Sequence, residues 1–141
     1  MRFGKFALVL SAMFATGALF AQNPPTIKQV PLKQTSPVSG QQMFATYCAV
    51  CHGPTGKGNG PAAAALKKAP GDLTKLAAGN KGKFPEEKVT MAITGSSGIS
   101  AHGSVDMPIW GDLFKSVSSD NAIVRLRVSN LTDHLKSIQS K

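Results

Sequence analysis

The only two cysteines of the chain stand in Cys48-Ala49-Val50-Cys51-His52, and this spacing carries the most specific chemistry in the sequence. On a helical turn, residues three apart share one face. Two thiols so placed can each add to one vinyl group of the same porphyrin, and C-x-x-C-H is the order of a c-type haem attachment site. His52 then lies under the ring and can offer an imidazole nitrogen to the iron as proximal ligand. The imidazole binds in its neutral form, and its second nitrogen needs a hydrogen-bond acceptor to fix the tautomer.

Other chemistries compete for these residues. A structural disulfide is open to an exported chain, but so short a loop gains little from closure. A thioredoxin-like pair wants a βαβ pattern, which the sequence lacks. Zinc would need two further ligands: His102 and His134 are available, a second cysteine pair is not. The Gly-rich stretch Gly56–Gly60 follows no strand and lacks the spacing of a dinucleotide or phosphate loop. The sequon at Asn130 falls on an expected helix, and no Ser/His/Asp arrangement is legible, so no catalytic residue is assigned.

The elements that must position the motif are helical. Ser39 can cap a helix from about Gly40 to Val50, with Gln42 completing a capping box and Val38 and Met43 forming a hydrophobic staple. Residues 53–61 form a Gly-rich loop. Ala62 to Lys67 is a run of strong helix formers stopped by Pro70 and Gly71. Pro85 opens another helix, with Glu86 and Glu87 in its first turn and Gly95 past its end. From Gly95 to Gly111 the chain reads as loop. Asp120 caps a last helix to about Gln139, where Val124, Val128, Leu131, Leu135 and Ile138 make one apolar stripe. Strand signals are nearly absent, so the class is all-α.

The N-terminus is a separate matter. Arg2 and Lys5 precede an apolar run from Phe6 to Phe20, and Ala21 precedes a polar, Pro-rich start. This is the layout of a signal peptide over residues 1–21, cleaved after Ala21. An uncleaved membrane anchor is the other reading, though the run is shorter than a spanning helix wants. Residues 22–37 read as an extended Pro-rich leader, and the folded domain as 38–141. Loss of Arg2 and Lys5 lowers the formal charge of +9 to about +7, and two haem propionates would bring it to about +5. The lysines are scattered without aromatic interleaving, which argues against nucleic acid. They suit an acidic partner protein or an anionic membrane surface.

The motifs together resemble the class I c-type cytochromes over residues 38–139. Gly40 and Phe44 match the family's Gly-x-x-x-Phe, followed by Tyr47 and Cys48-Ala49-Val50-Cys51-His52-Gly53. Gly56-Lys57-Gly58-Asn59-Gly60-Pro61 resembles the loop after the motif. Pro70-Gly71-Asp72-Leu73-Thr74 and Phe84-Pro85 look like stretches of one bacterial branch, and Met107-Pro108 matches the distal-ligand signature. The resemblance implies a cytochrome c fold of about four to five helices around one covalent haem c, with Cys48 and Cys51 as thioethers, His52 as proximal ligand and Met107 as distal ligand. A soft thioether suits reduced iron, and Pro108 stiffens the backbone beside it. Met91 and Met43 read as packing residues, and His102 would give a bis-histidine iron instead. The family position of His134 is commonly aromatic and packs near Gly40, so histidine there puts that contact in question. Trp110 is either core filling at the haem edge or a donor to a propionate.

The resemblance implies an electron carrier, not an enzyme, working in the periplasm between respiratory redox partners with acidic docking surfaces, as a free shuttle or as the haem subunit of a larger oxidoreductase. Membrane association follows only if the N-terminal segment stays uncleaved. The alternative is a haem enzyme or gas sensor with a displaceable distal ligand.

Overall fold

The computed structural model describes residues 32–96 and 109–140. The signal peptide, most of the leader, His102, Met107 and Pro108 lie outside the described residues. Among the described residues there is no strand, and no helix is long and apolar enough to cross a membrane.

The first helical run has three parts: α1 (Gly40–Met43), a π-helical turn (Phe44–Cys48) and α2 (Ala49–His52). Ser39 caps it as expected, its hydroxyl accepting from the Gln42 N–H at 3.1 Å. The box closes differently, because the Gln42 side chain accepts from the N–H of Ser36. The expected staple is absent: Met43 is fully buried, but Val38 is 66% exposed. The π turn closes with the Ala49 N–H on the Phe44 carbonyl. One extra residue in a turn rotates the rest of the helix by about 100°. The residues of α2 therefore face a different side from those of an unbroken helix.

Three short 3₁₀ turns come next, at Ala63–Ala65, Leu73–Lys75 and Ala78–Asn80. The alanine run yields only the first of them. It packs few buried side chains, and a helix this short has little to hold it without tertiary burial. Then come α3 (Glu86–Thr94), α4 (Trp110–Val117) and α5 (Asn121–Ser137). The first two glutamates of α3 and its stop at Gly95 match the sequence pattern. The Asp120 carboxylate caps α5 through the Ala122 N–H at 2.7 Å.

Helix α4 corrects the expectation of loop up to Gly111. Trp110, Leu113, Phe114 and Val117 follow helical spacing. Gly111 is a packing glycine: a Cβ there would stand 2.9 Å from the Thr94 carbonyl oxygen of α3. The segment 32–37, placed in the leader by sequence, is partly packed: Thr35 is buried and bonds Tyr47 and Arg127.

Helices α1 and α5 cross at Gly40. A Cβ on Gly40 would overlap the Asn130 carbonyl oxygen and lie 2.8 Å from the His134 Cβ. His134 fills the aromatic position, its ring 5.2 Å from that of Phe44. Histidine therefore keeps the crossing that its presence put in question. The core joins Met43, Phe44, Tyr47, Val89, Ile93, Trp110, Phe114, Val124, Val128, Leu131 and Leu135. The predicted stripe of α5 is its largest single contribution.

Candidate functional site

The loop after α2 exists to hold the end of that helix. Four C-terminal carbonyls of a helix lack intrahelical partners. Here each finds one: the N–H of Gly53 on Ala49, Ala62 on Val50, Gly60 on Cys51 and Gly58 on His52, at 2.8–3.0 Å. The chain thus folds back tightly beneath the motif, which is what the Gly-rich composition permits.

His52 is buried, at 8% exposure. Its Nδ1 lies 3.1 Å from the Gly71 carbonyl oxygen. A carbonyl only accepts, so Nδ1 carries the proton and Nε2 keeps its lone pair. Burial lowers the pKa of His52 from 6.5, opposed by the Gly71 bond. The imidazole is neutral at neutral pH, the form that binds metal.

The Gly71 carbonyl is held in turn from the C-terminus. The Gln139 amide donates to the carbonyls of Leu73 and Leu135 at 2.7 Å and accepts from the Ala77 N–H at 2.9 Å. Both the Ser140 N–H and its hydroxyl donate to the Thr74 carbonyl. Asp72 closes the turn, accepting from the Thr74 hydroxyl at 2.6 Å and the Thr74 N–H at 3.0 Å. The hydroxyl bond is the main reason its carboxyl titrates below 3.8. Gly71, Gln139 and Ser140 are supporting residues to which the sequence assigns no role at the site. No local motif marks them, because each works through a backbone atom far away in the chain.

Cys48 and His52 open onto a cleft of about 820 Å³, its mouth included. Its walls are Leu73, Leu76 and Pro85, then Lys88, Val89, Ala92 and Ile93 of α3, Trp110 of α4, and Leu131 and Leu135 of α5. Apart from the thiol, the imidazole and the Lys88 amine, the wall side chains are apolar, save the indole N–H. Such a lining suits a flat, apolar metal chelate better than a small polar substrate.

Cys51 is half-buried and is not part of the cleft wall, while Cys48 is. No disulfide joins them. Burial pushes the Cys48 thiol up to about 12, with Cys51 adding to the rise. Among the described residues there is no strand, which a thioredoxin-like pair would need, and no three His, Cys, Asp or Glu side chains gather as a metal site.

Of the other candidates, Trp110 lines the cleft, in line with core filling at its edge. It stacks on Tyr47 at 5.1 Å. Met43 sits in the core, and Met91 is half-buried outside the cleft wall. His134 packs on Phe44 and is not in the cleft wall.

A family model for cytochrome c matches residues 37–109, just over half of the chain. The chain belongs to the cytochrome c family. The family binds haem c covalently, and Cys48 and Cys51 lie in the matched region at the spacing that attachment requires. Members are in general haem-based electron carriers rather than enzymes. No curated protein and no solved structure matches the chain.

Proposed function

We propose that this cytochrome carries single electrons between exported or membrane-bound redox partners in respiratory electron transfer. Haem c supplies the iron couple that takes and releases the electron. In this reading Cys48 and Cys51 form its two thioethers, and His52 is the proximal ligand. Met107 would be the distal ligand. The observation that carries the proposal is the Gly71 bond to His52 Nδ1, which leaves Nε2 as the metal-binding nitrogen in an apolar cleft shared with Cys48. With His52 and Met107 both holding the iron, no position would stay open for substrate, which would suit electron transfer rather than small-molecule chemistry.

The surface supports a partner of opposite charge. Lys57, Lys67, Lys68, Lys75, Lys81, Lys83 and Lys88 are all exposed within one stretch of the chain. Among the described residues, Lys75 alone of these has an ion pair, with Asp72 at 3.6 Å. Such a field speeds encounter with an acidic redox protein, and salt weakens it. The N-terminal pattern supports export to the periplasm by a cleaved signal.

A pyridine haemochrome assay and a visible spectrum of the exported protein test this reading. The expected result is one haem c per chain, with the weak far-red band of Met–iron ligation in the oxidised form. Loss of that band on changing Met107→Ala, with the haem retained, assigns the distal ligand. Rapid CO binding by the unsubstituted protein, with no far-red band, would instead favour a haem enzyme or gas sensor.

A further inference from the structure

Arg127 is a buried cation that the electron-carrier reading leaves without a role. It is 4% exposed, on the inner face of α5 between Val124 and Leu131. Its Nη1 donates to the Thr35 hydroxyl at 3.0 Å and its Nη2 to the Thr35 carbonyl at 2.9 Å. The guanidinium carbon lies 5.9 Å from the centroid of the Phe114 ring. Among the described residues its Nε has no hydrogen-bond partner, and no carboxylate pairs with it. A guanidinium is permanently charged, and burying one without an anion is costly. Clamping Thr35 alone would need only a neutral donor.

The position of this charge suggests what it does. Leu131, one helical turn on and about 6 Å along the axis, is in the cleft wall. Phe114, under the guanidinium, packs 6.0 Å from Trp110, another wall residue. Apolar and aromatic side chains separate the charge from the cleft, so neither water nor salt screens it well. Oxidised haem iron carries one positive charge more than reduced iron.

We propose that Arg127 tunes the reduction potential of the haem, its buried charge favouring the reduced state. The inference rests on the cleft being the haem site. Arg127 acts through its field alone and touches neither cofactor nor ligand.

The test is a spectroelectrochemical titration of the haem-loaded full chain and four variants. Arg127→Gln removes the charge and keeps a donor, whereas Arg127→Lys keeps the charge and loses the fork. Thr35→Asp neutralises the charge in place, and Thr35→Asn is its uncharged control. At an effective dielectric of about 20, a unit charge acting over roughly 17 Å should change the reduced-to-oxidised ratio at fixed applied potential roughly fivefold. Arg127→Gln and Thr35→Asp should each lower that ratio by about this factor, while Arg127→Lys and Thr35→Asn stay within about twofold. If Arg127→Gln does not fold, the Thr35 pair decides alone. Equal ratios for Thr35→Asp and Thr35→Asn, or an Arg127→Lys shift as large as that of Arg127→Gln, would overturn the proposal. A chain that carries no covalent haem would overturn the electron-carrier reading and this inference together; a haem-loaded chain with unmoved ratios would overturn the inference alone.

Discussion

Replacing Gly40 by alanine should break the crossing that carries the haem motif. A Cβ there would overlap the Asn130 carbonyl oxygen, approach its carbon at 2.7 Å and meet the His134 Cβ at 2.8 Å. Carbon atoms in contact prefer about 3.5–4.0 Å, so α1 and α5 must part by about 1 Å. Two of the three clashing atoms are helix backbone and cannot rotate away. Overpacking of this kind costs about 1–3 kcal/mol. Removing a helical glycine returns about 0.5–1 kcal/mol, and the net loss is about 1 kcal/mol. For a domain of this size that lowers Tm by about 5 °C. The assay is thermal unfolding of the haem-loaded protein, followed by helical circular dichroism. Gly79→Ala is the control, since nothing lies within 4 Å of a Cβ there and its φ is not positive. That variant should melt at or slightly above the unsubstituted protein. Gly40→Ala melting with the control would refute the close crossing.

Gln139→Ala should cost about 1–3 kcal/mol in denaturant unfolding, because it strands partly buried backbone groups of the loop that holds Gly71. Unchanged stability would mean that the loop holds itself. His134 titrates below 6.5 because it is partly buried, packed on Phe44. The unfolded chain therefore takes up its proton first, and stability is full above pH 6.5 and falls as pH drops below it. His134→Phe should flatten the slope of stability between pH 7.5 and 5.5; an equal slope in both proteins would count against the assignment.

Much of the site was legible because its chemistry is local. Cys48, Cys51 and His52 fall within five consecutive residues, Ser39 caps its own helix, and the stripe of α5 repeats along one face. The features that stayed hidden depend on distance or on an exception. The π turn at Phe44–Cys48 has no sequence signature. Gly111 punctuated the pattern of α4, although it is needed for contact with Thr94. Val38 has the right type and spacing for a staple, yet the chain turns it outward. Arg127 was visible in principle: it lies three residues after Val124 and four before Leu131, a charge within an apolar stripe. Only the fold shows that Thr35 receives it. Gly71 contributes a carbonyl oxygen, which no side-chain pattern can announce.

The most direct test of the haem site is peptide mass mapping of the exported protein after treatment with an alkylating reagent. The peptide spanning residues 48–52 should carry the mass of one haem and no alkyl group on either cysteine. Two alkylated cysteines on a haem-free peptide would contradict the account.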